Sequence, residues 1–264
     1  MQSIKDAKRI VVKVGSSTLA YPTGMMNIRH VERLVKVLAD IKNSGREVVL
    51  VTSGAIGIGV GKLGLKKRPT DTPSKQAAAA VGQCELMYTY DRLFAGYNHT
   101  VAQVLLTRDI IDTDVRRENV ENTFERLLDL GCLPVVNEND TVATDEIDIG
   151  GTFGENDTLS ALVAQVCGAQ ALIILSDIDG LFTADPRTDC KASLIARVSE
   201  ITDELKALAG GAGSDIGTGG MISKLHAAEI CFKNDIAMAI INGSNPESLY
   251  DLTEGRPAGT LFIK

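Results

Sequence analysis

The sequence predicts an α/β fold in which a mostly parallel sheet is covered by helices on both faces. Two observations predict it: short runs rich in Val, Ile and Leu recur along the chain, and the segments between them carry apolar residues at helical spacing. Strands separated by helices pair in parallel, and strands buried on both faces read as continuous apolar runs. A third observation is that several of these runs end in small or polar residues. Open α/β sheets bind ligands beyond the carboxyl ends of their strands, so those endings mark where chemistry would sit.

The elements follow in order. RIVVKV (9–14) reads as a buried strand, and Val31, Leu34, Val35, Leu38 and Ile41 mark one face of a helix that ends near Gly45. EVVLVT (47–52) is a second strand, so the chain opens β-α-β. Helix SKQAAAAVGQCELMYTYDRLF, strand TVAQVLLT, a helix over about 115–130 and strand CLPVVN continue the alternation. After the excursion TDEIDIGGTFGE, a helix starts at NDTLSALVAQV and leads to strand ALIIL. The last third adds a helix opened by GTGGMISKLHAAEI, strand IAMAII and a short end strand, GTLFI. No repeat or low-complexity linker interrupts this pattern. A break near Gly168 predicts one domain, 1–264, with lobes of about 1–168 and 169–264.

Length and composition limit the function classes. At 264 residues, 44% of them hydrophobic, the chain can bury a substantial core. With 34 acidic against 27 basic side chains, a formal charge of −7 disfavours non-specific binding to nucleic acid or anionic membrane. An anionic ligand would therefore need locally placed cations. The N-terminus lacks an apolar targeting segment, and no apolar run approaches the ~20 residues of a membrane span. A cytoplasmic protein without membrane or nucleic-acid partners is expected. Cys84, Cys132, Cys167, Cys190 and Cys231 contain no C-x-x-C pair and read as small buried hydrophobes. His30, His99 and His226 stand apart from any candidate nucleophile, so histidine catalysis is not expected.

Four strand ends and one glycine loop carry the candidate chemistry. Lys13 lies within VVKVG, where an ammonium among valines costs desolvation free energy unless it is paired or at the mouth of the sheet. The plain alternative is an edge-strand lysine that discourages aggregation, but Gly15 follows and would let a ligand approach the backbone. Lys224 stands one helical turn beyond Gly219 and Gly220, where a solvated helix lysine is the plain alternative. The loop GTGGMISK is not a P-loop, because that motif reads G-x-x-x-x-G-K-[ST] and here the lysine follows the serine. Gly59, Gly61 and Gly64 spell G-x-G-x-x-G, but they come well after the strand residue Val51 and lack the acidic residue about 20 positions on. Small-residue packing of a helix against the sheet is the better use for them. Asp157 follows Asn156 at a helix start, where a cap or first-turn acid is common, and Asp140 and Asp177 suit turns.

Taken together, VVKVGSSTL, VTSGAIGIG, VVNENDTVAT, GENDTLSALVA, SDIDGLFTADPR and GTGGMISKLHAAEI resemble the amino-acid kinase family, from Arg9 to the end of the chain. VTSGAIG with NENDTVAT and TADPR is similar to the branch that phosphorylates the γ-carboxylate of glutamate, the first step of proline biosynthesis. The resemblance implies a three-layer α/β/α sandwich, with glutamate on the N-terminal lobe and ATP on the C-terminal lobe. It implies that Lys13 and Lys224 touch the phosphates and that Asp157 orients these lysines. It places Ser53, Gly54, Asp140 and Asn156 on glutamate. Lys13, Gly15, Ser176, Asp177, Thr218, Gly219, Gly220, Met221, Ile222, Ser223 and Lys224 would surround ATP. It further implies Mg²⁺ with the ATP, feedback by proline at or overlapping the glutamate site, and a homo-oligomer, dimer or tetramer. The chain departs from the family in two places. GENDT, preceded by GGTF, stands where relatives commonly carry GDND, and with GTLFIK as the last residues a kinase domain without the PUA domain that many relatives append is expected.

The chemistry fits on its own terms. A substrate carboxylate with a pKa near ~4.3 is ionised at neutral pH and needs no general base. The obstacle is repulsion from a triphosphate, which Lys13, Lys224, helix N-terminal N–H groups and Mg²⁺ would offset. Magnesium prefers phosphate oxygens and water, so no dedicated cluster of protein ligands is expected. Related kinases acting on acetylglutamate, aspartate or carbamate share these requirements. Asp140, an acidic partner for an α-amino group, favours free glutamate. A non-catalytic nucleotide-binding module would not require Lys13, Asp157, Asp177 and Lys224 together.

Overall fold

The structure, a computed structural model, describes residues 3–107, 109, 112–142, 155–186, 188–209 and 219–264. After a 3-10 turn, Ile4–Asp6, the chain forms β1 (Arg9–Val14), α1 (Ser16–Leu19), α2 (Ile28–Asn43), β2 (Glu47–Val51) and α3 (Ala55–Lys62). Next come α4 (Thr72–Ala95), β3 (Val101–Leu106), α5 (Asp114–Asp129) and β4 (Leu133–Glu138). Then follow α6 (Glu155–Val166), β5 (Ala171–Ser176), β6 (Arg197–Val198), α7 (Asp203–Ala209), α8 (Gly219–Lys233), β7 (Ala237–Asn242), α9 (Ser248–Glu254) and β8 (Thr260–Phe262). The expected alternation of strand and helix is present, and no helix among the described residues is long and apolar enough to cross a membrane.

The chain divides into two compact units, one of Val14–Gly151 and one joining Met1–Lys13 to Thr152–Lys264. In the first, the strands lie in the order β3-β4-β2 and both pairings are parallel. Val51 pairs with Val136, so the carboxyl ends of β2 and β4 finish side by side. Every residue of β4 is buried, as a central parallel strand requires. Helix α2 starts where the Asn27 side chain accepts the His30 N–H at 3.2 Å, and it stops before Gly45, whose φ of 95° is left-handed. Helix α4 starts at Asp71, whose carboxylate accepts the Ser74 N–H at 2.9 Å.

Helices α3 and α4 meet through glycines. A Cβ at Gly59 would lie 1.8 Å from the Ala78 carbonyl oxygen, and one at Gly82 would lie 1.8 Å from the Ala55 carbonyl oxygen. Of the G-x-G-x-x-G run, Gly59 therefore serves packing of helix on helix rather than of helix on sheet, Gly61 makes room for the Gly24 carbonyl, and Gly64, with φ of 65°, faces open space. Gly54, with φ of 91°, makes the sharp entry from β2 into α3.

In the second unit the strand order is β1-β5-β7-β8-β6. β5 and β7 pair in parallel, β8 turns antiparallel against β7, and β6 runs parallel to β8. The Gln170 Oε1 accepts the Arg9 N–H at 2.7 Å, and the Gln170 N–H donates to the Arg9 carbonyl, which fixes the start of β1 beside β5. Helices α6 and α8 pack against each other, and this contact brings Asp157 to Ser223 and Lys224.

Candidate active site

Lys13 is the penultimate residue of an almost fully buried strand and is itself only 8% exposed. Its Nζ lies 2.6 Å from Asp157 Oδ1. Asp157 is 1% exposed in the first turn of α6, and its Oδ2 receives Lys224 Nζ at 3.0 Å. The same ammonium donates to the Gly220 carbonyl at 3.0 Å. Ser223 Oγ lies 3.0 Å from Asp157 Oδ2 and 2.9 Å from that carbonyl, so its single proton is shared between two acceptors. Helix geometry explains the arrangement, because Gly220 and Lys224 are one turn apart and the lysine folds back toward the helix start.

One carboxylate thus stands between two lysines in a dry environment. Burial pushes the Lys13 pKa below 10.5 and the neighbouring Lys224 pushes it further, while Asp157 opposes both. Burial alone would raise the Asp157 pKa, but Lys13 and Lys224 outweigh it and hold the carboxyl below 3.8. Asp177 adds to the attraction on Lys13. With two lysines against one buried aspartate, the cluster carries surplus positive charge, and an anion is the ligand that would relieve it. Neither plain alternative for the lysines matches, since Lys13, 8% exposed, is not a solvent-facing lysine that keeps a strand edge apart and Lys224, 9% exposed, is not a solvated helix lysine.

The remaining nucleotide-side candidates cluster at the end of β5 and the start of α8. Ser176 is buried and its hydroxyl donates to Asp177 Oδ1 at 3.2 Å, while Asp177 is exposed. Gly219, Gly220, Met221, Ile222, Ser223 and Lys224 form the opening turns of α8. Thr218 and the GGTF loop lie outside the described residues. Gly15 heads α1 in the other unit with ordinary extended backbone, φ −83°.

Of the candidates for the amino-acid side, Ser53, Gly54 and Asp140 lie on the Val14–Gly151 unit, at the carboxyl ends of β2 and β4. Ser53 is buried and its hydroxyl donates to the Val14 carbonyl at 2.9 Å. Asn156 belongs to the other unit, on α6 beside Asp157. The structure adds two residues that no motif in the sequence marks. Asn137, the polar residue in the apolar run LPVVN, is buried, and its Nδ2 donates to Gln83 Oε1 at 2.8 Å. Gln83 has the character of a surface residue of an amphipathic helix, but it is buried, and it follows Gly82 in AAAAVGQ, where α4 runs close to α3.

Among the described residues no group of three or more His, Cys, Asp or Glu side chains could hold a metal ion. Both Asp157 oxygens already face ammonium groups. This donor set fits Mg²⁺ carried mainly on phosphate oxygens and water. The cysteines divide, because Cys167 and Cys231 are buried, Cys132 is half-buried, and Cys84 and Cys190 are exposed. The expectation of buried hydrophobes fails for the last two, since each falls on the solvent face of its segment.

Comparison with known proteins gives the family. Residues 8–242 match the amino acid kinase family. The chain is 53% identical over 262 residues to the glutamate 5-kinase of Clostridium perfringens, covering 99% of this chain and 97% of that protein. It is 51% identical over 261 residues to the glutamate 5-kinase of Enterococcus faecalis, covering 99% and 96%. Among solved structures, the UMP kinase of Ureaplasma parvum aligns over 100% of both chains with a TM-score of 0.66 at 14% identity. An isopentenyl phosphate kinase from T. acidophilum aligns over 96% of this chain and 99% of its own with a TM-score of 0.61 at 18% identity. The two structures share the fold with this chain, while the extent of the family match and the two close relatives go further: the chain belongs to the amino acid kinase family.

Proposed function

We infer that the chain is a glutamate 5-kinase, which transfers the γ-phosphoryl group of ATP to the γ-carboxylate of L-glutamate in the first step of proline biosynthesis from glutamate. The observation that carries this reading is 53% identity to a glutamate 5-kinase over nearly the whole of both chains. The Lys13–Asp157–Lys224 cluster supports it chemically, because it offers concentrated positive charge where a phosphoryl group would need it.

A γ-carboxylate oxygen forms the new P–O bond as the bond from the γ-phosphorus to the bridging oxygen of ADP breaks, giving L-glutamyl 5-phosphate and ADP. The nucleophile is already ionised, so no residue has to remove a proton. Lys13 and Lys224 stabilise the charge spread over the transferring group, and Asp157 holds both ammoniums in place. Ser176, Asp177 and the residues 218–224 surround the nucleotide, with Gly15 beside the phosphates. Ser53, Gly54, Asp140 and Asn156 bind glutamate, Asp140 taking the α-ammonium. Magnesium, when bound to the phosphates, neutralises part of their charge. Proline would compete at or over the glutamate site, and the working form would be a cytoplasmic dimer or tetramer.

The test is an assay with ATP, Mg²⁺, hydroxylamine and one acid at a time, scored for hydroxamate. Glutamate is expected to react, and acetylglutamate, aspartate and carbamate are expected to react poorly. Equal turnover of acetylglutamate would overturn the assignment. In the same assay, proline inhibition relieved by added glutamate is expected, and indifference to proline counts against an overlapping site.

A further inference from the structure

One buried donor in the Val14–Gly151 unit has no role in the account above. Gln83 is 8% exposed on α4. Its Oε1 accepts from Asn137 Nδ2 at 2.8 Å, which ties the amide to the carboxyl end of β4, in the run that leads to Asp140. Its Nε2 is buried and has no hydrogen-bond partner among the described residues. The neighbouring Gly82 presses α4 against the first residue of α3, the turn entered through Ser53 and Gly54. The amide is therefore tied to β4 through Asn137, on a helix that packs against the start of α3, with one donor left over.

A buried N–H without an acceptor is costly, and native proteins rarely keep one unless a ligand or water completes it. The groups around it narrow the choice of ligand. An amide N–H donates, so it suits an oxygen with negative charge and not a cation. Ser53 Oγ already donates to the Val14 carbonyl, and Asn137 Nδ2 already donates to Gln83. A dipolar amino acid at this site needs an acceptor for its ammonium and a donor for a carboxylate that would otherwise face Asp140 unsupported. Asp140 supplies the first and Gln83 can supply the second.

We propose that Gln83 Nε2 donates to a carboxylate oxygen of the amino-acid substrate, which makes Gln83 a specificity-determining residue. This rests on the reading of Ser53, Gly54 and Asp140 as the glutamate site. Gln83→Glu keeps an oxygen to accept from Asn137 but replaces the donor with an anion, and Gln83→Met removes both functions at similar volume. In the full chain, both variants are expected to raise the KM for glutamate, by about 10- to 100-fold as for loss of a hydrogen bond to a charged group, with little change in the KM for ATP. Gln83→Glu is expected to have the larger effect, because it adds repulsion. A purely structural role predicts a lower melting temperature in Gln83→Met with the glutamate KM unchanged, and that result would overturn the proposal. Asp140→Ala, assayed alongside, separates the two layers. A raised glutamate KM in Asp140→Ala with wild-type values in both Gln83 variants removes Gln83 alone, whereas wild-type values in all three remove the site.

Discussion

The cluster around Asp157 and the group at the ends of β2 and β4 are both buried and polar, yet they are made of different materials. Around Asp157, two lysines and a carboxylate hold one another at 2.6 and 3.0 Å. Gln83 and Asn137 share a bond between neutral amides, and Ser53 donates to a backbone carbonyl, while the carboxylates of Glu138 and Asp140 stand singly in the chain nearby. Concentrated charge in a dry site responds strongly to charge that appears or moves during a reaction. Neutral donors and acceptors respond to the shape and fixed dipoles of a bound molecule. The contrast predicts a division of labour, in which damage to the first region lowers kcat and damage to the second raises the KM for glutamate.

Stability offers the largest contrast. Asp157→Ala leaves two buried lysines without their carboxylate and is expected to cost about 3–5 kcal/mol, read from the denaturant midpoint. Ser53→Ala, which removes one neutral hydrogen bond, is expected to cost about 1 kcal/mol. Equal losses would break the comparison. The sign of the pH dependence follows from the direction of the shift. The Asp157 carboxyl is held below 3.8 in the folded protein, so its contribution is complete above the unfolded value and fades as pH falls through the folded one. The gap between wild type and Asp157→Asn should therefore narrow in acid below 3.8.

Substrate affinity gives the next contrast. Asp140→Ala is expected to raise the glutamate KM by about tenfold or more while leaving the ATP KM near its original value. An unchanged glutamate KM in a folded variant would remove Asp140 from the substrate site.

The smallest effect is a displaced pH limb. Burial lowers the Lys13 pKa, so its ammonium is lost at a pH below 10.5 and kcat should fall there. Between the folded value and 10.5 the unfolded chain binds more protons, so stability should rise over the window in which activity falls. Lys13→Arg keeps its charge and should shift this limb upward, even if its planar head lowers the rate. A limb that stays in place would assign it to another group.

The two regions were not equally legible in the sequence. Strand β1 and helices α2 and α4 announce themselves by apolar runs and spacing, and their caps are polar residues of the usual kinds. Helix α3 is poorly marked, because three of its eight residues are glycines that a helix does not favour by itself, and packing on α4 decides it. Strand β6 has only two residues, too few for a period to show. Lys13, Asp157 and Lys224 stood out because charged residues in apolar or glycine-rich settings are conspicuous. Their meeting at one carboxylate depends on α6 packing against α8, which no local pattern encodes. Gln83 stayed hidden because a glutamine on a long helix looks like surface, and only its bond to Asn137 and its burial mark it out.

The most direct test of the central claim is kcat for Lys224→Ala in a protein shown to be folded. If its ammonium stabilises the charge on the transferring phosphoryl group, kcat should fall by about 100- to 1,000-fold, roughly 3–4 kcal/mol, with a much smaller change in ATP binding. A folded Lys224→Ala enzyme with near-normal kcat would contradict the account and leave the lysine a structural partner of Asp157.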